Sequence, residues 1–502
     1  MTKPTNLKTA SSAVEIHAQL ESAYFLPSLH TIDAGVVLLK GWAFGIENSS
    51  SGVICNDVEL ALQMRGRSLG QTRCNESRMD VVQSYSGAPA QCGFELIVPI
   101  SELYALASLS ISYVLNGKIL KTESVSVQVV ESAQQLLPEK KQSPLRLKKL
   151  DNYLLNERER LFGSSTLYSK PVHLYIDPNF SCQLNCPHCV SDMLRENGYN
   201  MINLKLETLD SLLSQYGETL ISVSLTGWGE PLLNLQFPEL VRRLKKYEIW
   251  VETSTNLSLP LSNERIEELV SCGLDSMRLS IDGATQTVYE RYRKNGNLDL
   301  VLENVRRIVA CKKERGTRTP FLKWQFLLFP WNTHEALLAE SLARSLEVDL
   351  FYTMPGATHA RGPKSITSRA ANESSTPLSA EARQSFMKLR AQRQRNFGFF
   401  GCDALYRSMA VQSNGLVMPC CYVAEPKDAI GWADDCDLFN SPIQVANRDL
   451  FNKLDDPYHG AHDPCLHCPM IRTGYYSSLG YVAGPVGFFS AYRYLVKDEF
   501  LF

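Results

Sequence analysis

The sequence has little excess charge of either sign and no long apolar run. Its 51 lysines and arginines nearly balance its 53 aspartates and glutamates, which gives a net charge of −2. It therefore lacks the basic surface that nucleic acids or anionic membranes require. No apolar run is long enough to span a bilayer, and the N-terminus lacks the apolar segment of a signal peptide. We expect a cytoplasmic protein that binds neither nucleic acid nor membrane.

The length and composition indicate a globular protein of several domains. The chain has 502 residues, of which 44% are apolar and 21% charged, and this length predicts two to four domains. In a reducing cytoplasm, the 14 cysteines are not expected to form disulfide bonds. Clustered cysteines there indicate metal or cluster ligands.

Residues 30–131 show the pattern of short β strands. Apolar side chains alternate with polar ones along DVELALQM and GFELIVPI, and Asn116-Gly117 separates two further stretches of this kind. Such alternation with tight turns is typical of antiparallel strands. We predict an all-β, sandwich-like domain, preceded by a tail at 1–29 and followed by a linker at 132–170 that is rich in lysine and contains prolines.

Residues 171–356 alternate between strand and helix patterns. Six apolar runs, from VHLYIDP to DLFYTMP, are separated by five stretches of helical periodicity. This order predicts an α/β fold, a partial (β/α)6 barrel of the TIM type, with ligands at the C-terminal ends of the strands. A loop and connecting helix at 357–396 and a small cysteine-rich domain at 397–502 complete the predicted organisation.

Three cysteines, Cys182, Cys186 and Cys189, follow the first predicted barrel strand, and no fourth lies nearby. Structural zinc normally takes four protein ligands, and His188 is badly placed to be the fourth because it is adjacent to Cys189. A redox dithiol would not need a third cysteine. A four-iron cluster on three thiolates leaves one iron open to a small molecule, and we favour this interpretation over zinc.

The Cys-x3-Cys-x2-Cys spacing resembles the signature of the radical S-adenosylmethionine (radical SAM) superfamily. The resemblance includes a ring-bearing residue, His188, before the last cysteine, and implies that it lies at the cofactor. It implies a SAM-binding 4Fe–4S cluster on Cys182, Cys186 and Cys189, with S-adenosylmethionine as its partner cofactor. It further implies cleavage of that cofactor to a 5′-deoxyadenosyl radical, which abstracts hydrogen from a substrate. An electron donor such as a flavodoxin or ferredoxin is then expected.

Later strand ends carry further candidate cofactor-binding residues. TGWGEPLL resembles the family's glycine-glycine-glutamate-proline motif, in which Gly227, Gly229 and Glu230 would hold the amino group of the cofactor, although Trp228 replaces the first glycine of the motif. Around the ribose and carboxylate, the family uses positions that correspond here to Asn256, Ser280 and Asp282. A glycine-rich turn after a strand is also commonplace, and Asp-Gly is a good turn in its own right.

The region from residue 400 to the C-terminus holds six of the cysteines. Their order resembles the auxiliary-cluster region of radical SAM enzymes with a SPASM or twitch domain. This implies one auxiliary 4Fe–4S cluster, with Cys421 as a competitor of Cys420 and with a structural four-thiolate zinc site as the alternative. The predicted ligands are Cys402, Cys420, Cys465 and Cys468.

The resemblance implies an oxidoreductase whose substrate is a sugar-like small molecule, a glycan or a peptide, with net oxidation or epimerisation as the outcome. His359, after the sixth predicted strand, is a candidate catalytic base, although a loop histidine is more often solvated. The competing hypothesis is a non-catalytic metal-binding scaffold or binding protein with structural zinc or iron–sulfur sites.

Overall fold

The structure is a computed structural model, and the residues it describes form two compact units. One unit comprises the described residues up to 135 and the other those from 139 to 452. In the described part, no helix combines the length and the apolarity needed to cross a membrane. The described residues are 14–27, 35–47, 54–55, 58–64, 67–74, 81, 85, 88–89, 92–100, 109–129, 133–135, 139, 142–161, 163–187, 189, 202–355, 402–421, 423 and 426–452.

The first unit consists of β strands in two sheets. One sheet has the order β3-β2-β1-β9, with β6 also paired to β2, and the other has the order β5-β4-β7-β8. Both sheets contribute apolar side chains to one core, among them Leu39, Leu60, Phe94 and Ile111. The strands are β1 (Val14–Pro27), β2 (Gly35–Glu47), β3 (Ile54–Cys55), β4 (Glu59–Met64), β5 (Arg67–Arg73), β6 (Gly93–Ile100), β7 (Leu109–Leu115), β8 (Lys118–Ser124) and β9 (Gln128–Val129).

The predicted tail at 1–29 needs a correction, because residues 14–27 form β1. This strand pairs with β2 along its length, and Ile16, Ala18 and Leu20 pack against the shared core. A strand depends on its cross-strand neighbours, and for this reason the local pattern alone did not predict β1.

The second unit alternates strands with helices and is built around one mainly parallel sheet. Its elements are α1 (Pro144–Leu161), β10 (His173–Ile176), α2 (Leu206–Tyr216), β11 (Ser222–Leu225), α3 (Phe237–Lys245), β12 (Trp250–Thr255), α4 (Asn263–Ser271), β13 (Ser276–Ser280), α5 (Gln286–Tyr292), α6 (Leu298–Glu314), β14 (Phe321–Leu328), α7 (Ala336–Ser345), β15 (Leu350–Pro355), α8 (Asp403–Arg407), β16 (Ser408–Val411), β17 (Leu416–Met418), β18 (Gly431–Trp432) and α9 (Pro442–Asn452).

The sheet order is β15-β14-β13-β12-β11-β10-β16-β17-β18. Strands β10 to β15 are parallel neighbours in chain order, so the predicted succession of six barrel strands is confirmed. Between β13 and β14 the chain forms two helices, α5 and α6, where one was predicted. Capping side chains begin several of the helices; for example, Ser262 accepts from Arg265 at α4, and Asn297 accepts from Leu300 at α6.

The two faces of the barrel sheet differ in chemistry. Right-handed crossovers between strands in sequential order place the connecting helices on one side, and the residues facing them, such as Val223, Val251, Met277 and Leu322, are fully buried. The opposite face, called the lumen face below, is mostly polar. It is formed by His173, Tyr175, Ser222, Ser224, Trp250, Glu252, Ser254, Ser276, Arg278, Ser280, Phe321, Lys323, Gln325, Leu327, Leu350, Tyr352 and Met354.

The predicted linker at 132–170 also needs a correction, because it contains the 18-residue helix α1. Pro144 is the first residue of this helix, a position that favours proline, so it begins the helix and does not interrupt it. Leu150, Tyr153 and Leu154 are buried.

The predicted boundary at 397 does not separate the described residues from the barrel. β16 pairs in parallel with β10, from His173 opposite Ser408 to Ile176 opposite Val411. Residues 408–411 therefore extend the barrel sheet. Pairing between segments so distant in sequence leaves no local pattern from which it could be predicted.

A buried charge network joins α1 to α8. The Glu157 carboxylate is fully buried between the guanidinium groups of Arg160, at 2.7 Å, and Arg407. Arg407 also donates to the hydroxyl of Tyr153 at 2.8 Å, and that hydroxyl donates to Glu157 at 2.8 Å. The network fixes the segment that leads into β16.

We expect Arg407→Ala to lower the free energy of unfolding by about 3–5 kcal/mol, because it removes one of the two cations that pair with the buried Glu157 carboxylate. Urea unfolding followed by circular dichroism would measure this loss. The control is Arg344→Ala, which removes an exposed pair with Glu340 and should cost about 0.3–0.5 kcal/mol. Equal losses in the two variants would contradict a stabilising role for the network.

Candidate active site

The loop that carries the three cysteines follows β10, at the C-terminal end of the sheet. Cys186 is buried, and Cys182 and Cys189 are half-buried. The amide of Cys189 donates to the carbonyl of Cys186 at 3.1 Å, and the amide of Asn185 donates to the carbonyl of Lys294 at 3.1 Å. The loop is thus held by its own turn and by the segment after α5.

The glycine-rich loop after β11 lies directly against the cysteine loop. A Cβ at Gly229 would overlap the backbone of Asn179, and a Cβ at Gly227 would overlap the carboxyl group of Asp177. The amide of Glu230 donates to the carbonyl of Ser181 at 2.6 Å. Both glycines are therefore required by close packing of the chain itself.

Glu230 ties the loop after β11 to the end of β12. Its carboxylate is buried and accepts from the Thr255 hydroxyl at 2.7 Å, the Asn256 amide at 2.9 Å and the Leu232 amide at 3.1 Å. Burial raises its pKa, although these donors oppose the shift. An ionised carboxylate offers about four acceptor positions. Donors of the described residues occupy three of them.

Asn256 connects this carboxylate to the cysteine loop. Its side-chain amide donates to the sulfur of Cys182 at 3.6 Å, and its carbonyl accepts from Gln183 at 2.8 Å. Gln183 also donates to the carbonyl of Ser258 at 2.9 Å. Asn256 thus contacts a predicted cluster ligand directly, and sequence reasoning missed Gln183 because its role arises only from this three-dimensional contact.

The structure separates the roles of Ser280 and Asp282. Ser280 lies on the lumen face, and its hydroxyl is 3.3 Å from the hydroxyl of Ser254. Asp282 has no exposed surface and accepts from the Leu327 amide at 2.7 Å and from Arg293 at 2.6 Å. Arg293 and the backbone surround the Asp282 carboxylate, and its place at the cofactor stays a prediction.

Arg293, the cation of this buried ion pair, also contacts a predicted cluster ligand. Its guanidinium donates to the sulfur of Cys186 at 3.9 Å and stacks on Tyr292, 5.1 Å from the ring centre. Burial raises the pKa of Cys186, and Arg293 opposes this shift. The sequence YERYRKNG contains three basic residues among polar neighbours. Nothing in this pattern indicated that one of them would be buried.

Asp177, the residue after β10, was also missed. Its carboxyl group accepts from the Trp228 amide at 3.3 Å and the Asn179 amide at 3.4 Å, so it joins the cysteine loop to the glycine-rich loop. Burial raises its pKa to about 7 in spite of these donors. A carboxylate directly at a strand end in VHLYIDP was a readable signal.

The donor set at this end of the barrel fits an iron–sulfur cluster. The three thiols are close enough for an ionised Cys186 or Cys189 to raise the pKa of Cys182, which burial raises to about 12. Bound iron removes such protons, and the N–H donors on Cys182 and Cys186 match the hydrogen bonds that tune cluster sulfurs. In the described part of the chain, no three His, Cys, Asp or Glu side chains converge on a single ion.

The predicted auxiliary site is only partly within the described residues. Cys402 precedes α8, which leads into the N-terminal end of β16, and Cys420 follows β17, which runs antiparallel to β16. Both thus lie towards the end of the sheet opposite to Cys182. Outside the described residues lie Cys465, Cys468, His188 and His359.

One stretch of the chain is similar to a known protein family. Residues 177–322, less than a third of the chain, match the family described as the Radical SAM superfamily. This similarity implies a 4Fe–4S cluster and S-adenosylmethionine, for which the residues described above provide a fitting donor set.

Curated proteins with similar sequences match the chain only in part. The mycofactocin maturase MftC of Mycobacterium tuberculosis is 24% identical over 141 residues, which are 28% of this chain and 35% of the relative. The GTP 3′,8-cyclase of Clostridium perfringens is 27% identical over 182 residues, which are 36% of this chain and 53% of the relative. The chain spans about a third to a half of the length of the curated relatives it matches.

Solved structures with a partly similar backbone include SuiB of Streptococcus suis bound to S-adenosylmethionine. It has a TM-score of 0.40 and 15% identity, and the match covers 62% of this chain and 81% of SuiB. BtrN in complex with AdoMet and 2-DOIA has a TM-score of 0.35 and 13% identity, with coverage of 60% and 94%.

We expect Asp177→Asn to flatten the pH dependence of stability. Between its ordinary pKa of 3.8 and about 7, the folded chain keeps a proton on Asp177 that the unfolded chain has released. Asp177 therefore makes stability fall as pH rises through this window, by up to about 1.4 kcal/mol per pH unit. Urea unfolding of both chains from pH 4.5 to 7.5 measures this, and parallel curves would contradict it.

Proposed function

We propose that the chain is a radical SAM oxidoreductase that cleaves S-adenosylmethionine reductively and abstracts hydrogen from a small-molecule, glycan or peptide substrate, with net oxidation or epimerisation. The convergence of three strand-end loops supports this proposal most directly. Cys182, Glu230 and Asn256 come from the loops after β10, β11 and β12 and are joined by hydrogen bonds.

Each side chain has a distinct task in this proposal. Cys182, Cys186 and Cys189 would bind three irons of the cluster, and the Glu230 carboxylate would accept from the ammonium group of the cofactor. Gly229 lets the backbone approach closely. When bound, the cluster would transfer one electron to S-adenosylmethionine, whose carbon–sulfur bond would break to give methionine and a 5′-deoxyadenosyl radical. Such a radical would react with any nearby C–H bond, so the proposal requires the site to hold the substrate close and to exclude water during the reaction.

The names of the relatives point to different substrates and so leave the substrate of this chain open. One is a mycofactocin maturase and another a GTP cyclase. We propose further that Cys402, Cys420, Cys465 and Cys468 bind an auxiliary 4Fe–4S cluster that accepts an electron from the substrate. A flavodoxin or ferredoxin would supply the initial electron.

The full chain, reconstituted anaerobically with iron and sulfide, should release 5′-deoxyadenosine when dithionite and S-adenosylmethionine are added. Cys186→Ala should abolish this release, because the cluster loses one of three ligands. Cys311→Ala is the matched control, since Cys311 lies on α6, outside the site, and should keep it. Chromatography of the quenched reaction measures the product. Zinc without iron, or an iron-loaded chain without product, would favour a structural metal scaffold.

We expect Arg293→Gln to lower the reduction potential of the reconstituted cluster by several tens of millivolts, because a positive charge and a hydrogen bond at Cys186 favour the more negative reduced state. Potentiometry followed by electron paramagnetic resonance measures the shift. Arg291→Gln is the matched control, since Arg291 stacks on Trp331, 4.9 Å from the ring centre. Arg293→Lys keeps the charge and should shift the potential less. Equal potentials in all variants would contradict this role.

A further inference from the structure

Three aromatic rings lie in a row that begins at the cysteine loop. Tyr292, the last residue of α5, packs against Phe329, the residue after β14, with 4.7 Å between the ring centres. Phe329 in turn stacks on Trp331, with 5.1 Å between the ring centres and 4° between the ring planes. We call these three residues the aromatic row. Two different segments at the C-terminal end of the sheet contribute its rings, so the fold brings them together.

The inner end of the aromatic row reaches the predicted cluster ligands. Arg293 stacks on Tyr292, 5.1 Å from the ring centre, and donates to the sulfur of Cys186 at 3.9 Å. Burial raises the pKa of Tyr292 to about 12; Arg293 opposes this shift, and Cys186 and Cys189 add to it. Because the interaction between charges falls with distance, the effect of both cysteines indicates that the Tyr292 ring lies near them.

The outer end of the aromatic row lies at the surface. Phe329 is 6% exposed, whereas Trp331 is half-buried. Arg291 is exposed, and its guanidinium lies over the Trp331 ring, 4.9 Å from the ring centre. Lys294 is also exposed, and its backbone carbonyl accepts from the amide of Asn185 in the cysteine loop at 3.1 Å. The row therefore connects the cluster site to a surface with two cations.

The exposed charge around this surface is positive. Of the basic residues at the end of α5 and directly after it, Arg293 is paired with the buried Asp282 at 2.6 Å. Arg291 and Lys294 then outnumber the one exposed carboxylate of this segment, that of Glu290. A partner with negative charge at its contact surface would complement this excess.

Buried polar groups fix the loop that carries Phe329 and Trp331. Asn332 has no exposed surface, and its amide group donates to the carbonyls of Asp282 at 3.0 Å and Leu327 at 2.9 Å. Its side-chain oxygen accepts from the Phe329 amide at 2.7 Å. A surface that is held in one arrangement loses little conformational freedom when a partner binds. The outer end of the aromatic row is therefore a preformed contact surface.

We propose that the outer end of the aromatic row, together with Arg291 and Lys294, is the docking surface of the protein that reduces the cluster, a small one-electron carrier of net negative charge. This inference rests on the proposed function and assigns a surface of this chain to its electron donor. The reduced carrier loses one electron and the oxidised cluster gains it, and no bond is made or broken in this step.

The physical demands of this transfer match the surface. Electron tunnelling slows steeply with distance, so a carrier has to dock where closely packed groups lead to the cluster, as the aromatic row does. Tryptophan and arginine are enriched at the centres of protein interfaces, and here Arg291 stacks on Trp331. Encounters between redox proteins bury little area and depend on complementary charge for their rate.

The docking surface and the proposed cofactor residues use different parts of the cysteine loop. Asn256 contacts Cys182, whereas Arg293 contacts Cys186. A carrier at Trp331 therefore binds to other residues than those proposed for S-adenosylmethionine.

Binding of oxidised flavodoxin to the full, anaerobically reconstituted chain tests the inference, in calorimetric titrations at low ionic strength, with a ferredoxin titrated in parallel. Arg291→Glu and Lys294→Glu should each weaken binding by about fivefold or more, because attraction becomes repulsion, and added salt should reduce the difference. Trp331→Ala should weaken binding by about tenfold, and Trp331→Phe should retain most of the affinity. Lys313→Glu is the control, since Lys313 pairs with Glu347 at the surface of α6, and should leave binding unchanged.

The rate of cluster reduction is a second readout. Stopped-flow mixing with reduced flavodoxin, followed by flavin absorbance, should show slower electron transfer to Arg291→Glu, Lys294→Glu and Trp331→Ala, while reduction by dithionite, which needs no docking surface, should change little. No binding of either carrier, or affinities that are equal in all variants, would overturn the inference. Release of 5′-deoxyadenosine with dithionite is scored separately, so this inference can fail while the proposed function stands.

Discussion

The site depends on the close approach of the loops after β10 and β11. Gly229 lies so near the backbone of Asn179 that no side chain fits between them, and the amide of Glu230 reaches the carbonyl of Ser181. This contact sets the position of the Glu230 carboxylate, which in turn binds the amide of Asn256. Asn256 then reaches the sulfur of Cys182. A shift in the first contact would therefore propagate to the cluster ligand.

This arrangement costs stability at the place where chemistry is proposed. Burial raises the pKa of Asp177, Glu230 and Asp282, so the folded state disfavours each charge even though backbone amides and Arg293 bind them. Active sites commonly contain such perturbed groups. Burial of branched and aromatic residues on the helix face of the sheet supplies compensating stability.

The sequence predicted the barrel strands and the position of the cysteine loop because both follow from local patterns. Alternating strand and helix periods are readable residue by residue, and parallel strands place their C-terminal ends together. The pairing of Asp282 with Arg293 was not readable. The two residues lie 11 residues apart, one after β13 and the other directly after α5, and only the fold determines how these segments are oriented. The same limit hid β16, which joins β10 across more than two hundred residues of chain.

The polar character of the lumen face was, however, readable from the sequence. Strands of a parallel sheet buried on both faces are usually apolar throughout, whereas HLYI, SVSL and SMRLS alternate polar and apolar residues. A closed TIM barrel fills its interior with branched apolar side chains, and here the interior carries serines, Glu252, Arg278 and Lys323 instead. The alternation indicates a sheet whose two faces differ in polarity, and the loops with Cys182, Glu230 and Asn256 lie at the C-terminal end of its strands.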